Sequence, residues 1–228
     1  MCGRYVRRTP LQNVIDLFSA LPEEGGSLND SPRYNIAPTQ DVVAVRLDRQ
    51  GQRRLANLRW GLIPAWAQDA AIGNRMINAR AETVAEKPAY RAAFRTRRCL
   101  LPADGFYEWK ADGKRKQPFF IHRADSAPFG FAGLWERWEK GESPVQSCCV
   151  LTTEPNTLMK GIHNRMPVIL RPEDYARWLD PRTPAAELEK LMVPLSGEDL
   201  EAYPVDTRVN NPRNEGEECM KRAEQNLF

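Results

Sequence analysis

The sequence predicts an α+β fold: one domain spanning residues 2–228, with a strongly bent, barrel-like, mainly antiparallel β core flanked by helices. Three observations lead there. Strand patterns dominate the middle of the chain, helical patterns sit toward its two ends, and the regular strand–helix alternation of a parallel doubly wound sheet is missing. At 228 residues, one large domain fits better than two small ones.

TPLQNVIDLFSAL reads as the first helix. Thr9 can cap it, Pro10 suits its first position, and Leu11, Val14, Ile15 and Phe18 share a face. After the polar EEGGSLNDSPR, the segment RYNIAPTQ reads as a proline-broken loop. DVVAVRLDRQGQRRLANLRWGLIP then reads as two strands joined around Gly51. A short helical stretch fits within Glu82 to Arg98. RCLLPADGFYEWKADGKRKQPFFIHR follows as strands broken at Asp104-Gly105 and Asp112-Gly113. FGFAGLWERW, SCCVLTTE and RMPVIL are further short strand-like runs. PEDYARWLD and PAAELEKLM are amphipathic helices, and YPVDTRVN is a last strand candidate.

Composition narrows the function classes. Hydrophobic residues make up 42% and charged residues 28%, values of a folded soluble protein. No apolar run reaches the roughly 18 residues of a membrane span, and MCGRYVRRTP has no signal-peptide core, so the cytoplasm is the expected compartment. Five cysteines without a C-x-x-C pair, together with only two histidines, argue against a disulfide framework, a zinc site or any other metal site, and no cofactor is expected. Residues 1–170 hold 25 Lys and Arg against 17 Asp and Glu, while residues 171–228 hold 8 against 13. That basic body is compatible with a polyanion, and equally with a solvated surface.

Cys2 is the first candidate for chemistry. Bacterial-type processing removes Met1 readily before a small residue, which would give Cys2 a free amine beside its thiol. The amine has an ordinary pKa near ~8 and the thiol near ~8.5, so both nucleophiles work at physiological pH. Such a pair condenses with aldehydes to a Schiff base, which the sulfur closes to a thiazolidine. A second residue is otherwise commonly exposed and inert.

His163, before an apolar run, is either a turn residue or a proton carrier; His122 has the weaker case. Glu108 in DGFYEWK shares a strand face with Phe106 and Lys110. It is either solvent-facing or a carboxylate packed among aromatics, whose pKa would rise. Asn78 in INAR can orient a substrate or the Cys2 amine, and Arg80 points to the same side if the stretch is extended. Arg4, Arg80 and Arg165 suit phosphate, and Trp60, Trp66 and the loops at Pro38 and Pro64 suit stacking or strand-parting. Cys99, Cys148 and Cys149 read as buried packing residues.

In order along the chain, MCGRY, RYNIAPTQ, RWGLIPAW, INARAET, LLPADGFYEW, KQPFFI, FAGLW, LTTEPNTLMKGIHNRMPVIL and RVNNPRNEG resemble the SRAP family. These are the SOS response-associated peptidase proteins, also described as abasic-site processing proteins. The resemblance runs from residue 2 to about residue 216 and implies a compact α+β domain with a bent β core. It also implies a processed N-terminal cysteine that crosslinks to the ring-opened aldehyde of an abasic site in single-stranded DNA. Carried over by motif, the nucleophile falls on Cys2, the orienting amide on Asn78, the acidic proton carrier on Glu108 and the imidazole on His163. The backbone-binding arginines it implies are Arg80 and Arg165, with Arg4; Trp66 and Pro38 join them as DNA-binding candidates on their residue type alone.

The implied partner is single-stranded DNA with an abasic site, bound by a monomer away from membranes; replication-fork proteins stay open as further partners. An imine that escapes ring closure gives strand cleavage by β-elimination. Two rival readings remain: a cysteine peptidase or autopeptidase using Cys2, His163 and Glu108, and a non-catalytic DNA-binding module.

Overall fold

The computed structural model describes residues 2–25, 28–113 and 115–223. In chain order the elements are β1 (Tyr5–Arg7), α1 (Leu11–Phe18), β2 (Leu21–Pro22), β3 (Arg33–Ile36), β4 (Asp41–Leu47), β5 (Arg53–Trp60), β6 (Asn78–Arg80), α2 (Arg91–Thr96), β7 (Arg98–Ala103), β8 (Gly105–Asp112), β9 (Arg115–Arg123), β10 (Phe129–Trp138), β11 (Val145–Thr153), β12 (Met166–Pro167), β13 (Ile169–Leu170), α3 (Tyr175–Leu179), α4 (Ala185–Leu191) and β14 (Leu200–Pro204).

Five strands close on themselves. β4 pairs with β5, β5 with β11, β11 with β10, β10 with β7, and β7 returns to β4, all antiparallel except the β5–β11 closure. Period-2 alternation then separates an inside from an outside. Val43, Val45, Leu55, Leu100, Leu134 and Leu151 share one apolar cluster with Val14 and Phe18 of α1 and Trp178 of α3, so that face is the outer one, covered by helices. Ala44, Ala56, Trp60, Cys99, Phe131 and Cys148 alternate with them and fill the interior. The larger interior side chains leave no room for a side chain at Gly133. At Gly133 an added Cβ would lie 2.4 Å from Leu101 Cδ1 and 2.9 Å from Cys99 Sγ.

A second sheet, in the order β14-β9-β8-β1-β3, leans on the barrel. The two are joined at Asp104, between β7 and β8, whose buried carboxylate accepts hydrogen bonds from the Arg8 and Thr9 amides and from Thr9 Oγ1. Gly105 follows because β9 passes too close for a side chain: a Cβ there would meet Ile121 O at 2.7 Å. The interior cluster of the barrel continues through Phe106 and Ile121 of this sheet to Tyr5 and Cys2. Cys2 is therefore an extension of the core.

The α+β barrel-like fold agrees with the sequence reading, and three local readings change. RYNIAPTQ is strand β3 up to Ile36, and the turn comes only at Thr39, whose φ of 73° is left-handed. The α1 cap is not Thr9, which bonds Asp104; Asp30 accepts the Leu11 N–H at 2.7 Å instead. YPVDTRVN is strand only to Pro204, then a 3₁₀ turn at Thr207–Asn210. No helix among the described residues is long and apolar enough to cross a membrane.

Candidate functional site

Cys2 lies just ahead of β1, and the strand pairings hold it there. Tyr5 is registered with Ile36 of β3 on one side and Phe106 of β8 on the other, and the Tyr107 N–H donates to Arg4 O at 3.0 Å. The Arg4 guanidinium does not face open solvent. It donates to Asn35 Oδ1 at 2.8 Å, to Val209 O at 2.6 Å and to Asn210 O at 3.2 Å. Asn35, fully buried, donates in turn to Asn214 O at 2.8 Å and Asn211 O at 3.1 Å. Arg4 and Asn35 thus tie the first residues to the segment 209–214. Sequence reasoning missed Asn35 because its segment was read as loop; the alternation of RYNI was the available signal.

Cys2 itself is completely buried. Burial pushes its thiol pKa up, and the charge of Glu108 pushes it further in the same direction. Asn78 Nδ2 donates to Cys2 O at 2.8 Å. Asn78 opens β6, which runs parallel to β11 with Val150 opposite Asn78 and Thr152 opposite Arg80, so the stretch is extended as the same-side argument requires. The Tyr90 hydroxyl donates to Asn78 O at 3.1 Å and steadies the strand from α2. Asn78 Oδ1 is buried and has no hydrogen-bond partner among the described residues. An orphan acceptor beside a nucleophile is a place for a substrate or amine N–H.

Glu108 resolves the ambiguity left by alternation. It points with Phe106 into the packed side of β8 and is 2% exposed. Burial raises its pKa, partly opposed by the His163 charge among others. His163 follows the 3₁₀ turn Met159–Gly161, which its N–H caps by donating to Met159 O at 2.8 Å. The Arg165 N–H donates to His163 Nδ1 at 3.1 Å. Neutral imidazole then carries its proton on Nε2, which lies 4.0 Å from Glu108 Oε2. When protonated, Nδ1 can turn donor to Arg165 O, 3.3 Å away. A histidine and a raised-pKa carboxylate facing each other form an acid–base pair.

The phosphate candidates separate by environment. Arg80 is exposed. Arg165 is held bidentately by Glu82 at 2.5 and 2.9 Å and donates to Thr152 O at 2.6 Å. Thr152 is thus registered opposite Arg80 across the β6–β11 pairing while its carbonyl accepts from Arg165. Trp66 is 54% exposed on its loop, where Lys140 Nζ donates to its carbonyl at 2.9 Å, and Pro38 is half-buried in the turn after β3. Trp60 is no stacking platform: it is buried in the barrel, its Nε1 bonded to Ile77 O. Cys99, Cys148 and Cys149 are buried thiols on the barrel strands. Met1 lies outside the described residues. Among the described residues no three His, Cys, Asp or Glu side chains gather to hold a metal.

Concavity is a poor guide here. A cavity of about 800 Å³ runs beside Arg33, Gln40 and Asp41, away from Cys2, Asn78, Glu108 and His163.

Comparison with known proteins identifies the family and the fold. The family model described as SOS response associated peptidase (SRAP) matches residues 1–212. Abasic site processing protein YoaM of Bacillus subtilis (strain 168) is 44% identical over 223 residues, covering 96% of this chain and 97% of the relative. Abasic site processing protein HMCES of Xenopus tropicalis is 34% identical over 220 residues, covering 85% of this chain and 65% of that protein. A crystal structure of a protein from Bacteroides thetaiotaomicron has a TM-score of 0.86 at 25% identity, covering 97% of this chain and all of that one. With the family matched over nearly the whole chain, this protein belongs to the SOS response associated peptidase (SRAP) family.

Proposed function

We propose that this protein processes abasic sites in single-stranded DNA, and that it does so by a covalent thiazolidine crosslink through Cys2 after Met1 is removed. The relatives named as abasic site processing proteins support the substrate class. The observation that carries the chemistry is the placement of Cys2: its carbonyl is held by Asn78 at 2.8 Å, and its thiol feels the buried Glu108 that faces His163.

Each group then has a task. His163, with its proton on Nε2, and Glu108 open the closed deoxyribose hemiacetal to the C1′ aldehyde. The freed Cys2 amine adds to C1′, with Asn78 Oδ1 accepting one of its N–H groups. Glu108, kept protonated to higher pH than an ordinary carboxylate, donates the proton that lets water leave the carbinolamine. Cys2 Sγ then bonds the imine carbon and its proton passes to the nitrogen, closing the ring. An imine that waits too long loses the 3′ phosphate by β-elimination, a lyase side reaction. Arg80 and Arg165 hold flanking phosphates, while Trp66 and Pro38 offer flat surfaces to splayed bases, a sequence-independent mode suited to a lesion without a base. Arg4, already bonded to three protein acceptors, serves by holding the N-terminal strand. The setting is the cytoplasm, on the nucleoid when engaged.

A cysteine peptidase needs a thiolate ready at rest. Burial and Glu108 both disfavour a resting Cys2 thiolate, whereas closure onto an imine passes the thiol proton to the nitrogen as the sulfur bonds, so the abasic-site reading is the one favoured.

The test is incubation of purified protein with single-stranded DNA carrying an abasic site, followed by denaturation. A heat-stable adduct that Cys2→Ala abolishes is expected. Absence of any adduct overturns the proposal, and intact-mass measurement showing Met1 retained on active protein overturns the thiazolidine route.

A further inference from the structure

The Arg165 guanidinium already has an anion on it. Glu82 lies in the 3₁₀ turn Ala81–Thr83, directly after the strand that carries Asn78 and Arg80. Its Oε1 and Oε2 receive Nη1 and Nη2 of Arg165 in parallel, at 2.5 and 2.9 Å, the two-pronged geometry by which a guanidinium grips a phosphate. The two partners are unequal. The Arg165 side chain is 15% exposed and Glu82 is 50% exposed. Arg165 also keeps a second anchor, Nη2 to Thr152 O at 2.6 Å, on a buried residue of β11. Its Nε is buried and has no hydrogen-bond partner among the described residues. If the carboxylate swings away into water, the guanidinium stays where it is with its outer edge uncovered.

We propose that Glu82 is a resident competitor for the phosphate-binding edge of Arg165, so that it limits how tightly the protein holds single-stranded DNA and how steeply that binding depends on salt. The inference rests on the reading that this protein binds single-stranded DNA. The half-exposed Glu82 keeps water around its carboxylate, so a DNA phosphate beside the exposed Arg80 displaces it at modest cost. Hydrogen bonds from Arg165 lower the Glu82 pKa, which keeps the competitor ionised at neutral pH. Glu82 is a positioning residue: it touches Arg165, and acts on DNA through it.

The two roles open to Glu82 differ in sign. If it merely props Arg165 in place, removing its charge weakens DNA binding; if it competes, removing the charge strengthens binding. The experiment is fluorescence anisotropy with an intact, mixed-sequence single-stranded oligonucleotide across a salt series, using wild type, Glu82→Gln, Arg165→Gln and the double variant. Glu82→Gln is expected to bind about two- to fivefold tighter at low salt. Its plot of log affinity against log salt should steepen by up to about 0.7, because the displaced Glu82 charge no longer offsets the cation that Arg165 brings to one phosphate. Arg165→Gln should bind more weakly, and the double variant should match it, since the competitor has lost what it competed for. Glu82→Ala, which removes the acceptor atoms altogether, should tighten binding as well, and a gain of affinity cannot come from misfolding. Unchanged or weaker binding in both Glu82 variants overturns the inference, as does a gain that persists without Arg165. Wild type run in parallel on the abasic oligonucleotide separates the layers: crosslinking without any gain in the Glu82 variants overturns this inference alone. Failure of wild type both to bind and to crosslink overturns the functional reading beneath it.

Discussion

The barrel interior and the seam where the second sheet leans on it both bury cysteine completely, and under the proposed function Cys148 and Cys2 have opposite uses. Cys148 sits among the interior side chains of β5, β7 and β10, and burial and its neighbouring cysteines hold its pKa well above the ordinary value. Cys2 belongs to the same apolar cluster and is equally inaccessible, yet its neighbours include a carboxylate that can carry a proton and an amide that grips its backbone. Burial makes a thiol inert on its own. It makes a reaction site when the same low-polarity surroundings also raise a proton donor and exclude competing water.

The sharpest way to break this comparison is to delete each sulfur. Cys2→Ala should eliminate the heat-stable adduct with abasic single-stranded DNA while raising strand cleavage, because the remaining amine still forms an imine. Cys148→Ala should crosslink at the wild-type rate and lose only about 1–2 kcal/mol of stability to a small cavity. Adduct loss in both variants, with both still folded by circular dichroism, would remove the distinction between core and seam.

Glu108→Gln probes the same contrast from the carboxylate side. Losing a general acid should slow adduct formation by about 10²- to 10⁴-fold in single-turnover kinetics. Stability should move the other way. Burial raises the folded-state pKa of Glu108 above 4.5, so as pH rises from there through the folded value the native state retains a proton that the unfolded chain releases. In that window stability declines with rising pH. Glu108→Gln removes the titration and should melt higher than wild type near pH 8, with the difference closing as pH falls toward 4.5. A variant that melts lower across the whole range would mean that the carboxylate is a structural anchor.

Asn78→Ala should have a smaller effect, about tenfold on the rate, the size expected from one lost hydrogen bond to Cys2 O. Asn78→Asp keeps the acceptor and loses the donor; slowing by both variants alike would assign the effect to Nδ2, and slowing by Asn78→Ala alone to Oδ1.

The legibility of these parts in the sequence was uneven for physical reasons. Alternating β-branched and aromatic runs announced the strands from Asp41 onward, and Asp104-Gly105 and Asp112-Gly113 marked their breaks, because turn chemistry and period-2 burial are local. The closure of β5 onto β11 was not legible, since it joins Arg59 and Trp60 to Ser147 and Cys148 across nearly ninety residues with no local signal. At the candidate site, Cys2, Asn78, Glu108 and His163 stand out through their motifs, while Glu108's burial needed the fold to choose a face. Asn35 was missed because its partners are backbone carbonyls 174 to 179 residues away. Glu82 was passed over because a glutamate in a turn announces nothing until the arginine it holds is known.

Gly133→Ala isolates the barrel from the chemistry. The added methyl would sit 2.4 Å from Leu101 Cδ1, 2.9 Å from Cys99 Sγ and 3.1 Å from Cys149 O, so both the side chains of β7 and the neighbouring backbone of β11 have to give. Overpacking of this kind costs about 1–3 kcal/mol, read as a lower midpoint in urea with an unchanged slope. Cys2, Asn78, Glu108 and His163 are anchored through β1, β6, β8 and the turn at Met159–Gly161, and none of them pairs with β10. Crosslinking per folded molecule should therefore stay at the wild-type value. A parallel fall in rate would mean that strain in the barrel is transmitted to the seam through β11, which carries Thr152 and Val150 opposite Arg80 and Asn78. The two regions would then behave as one mechanical unit, with Cys2 held by the barrel as firmly as by its own sheet.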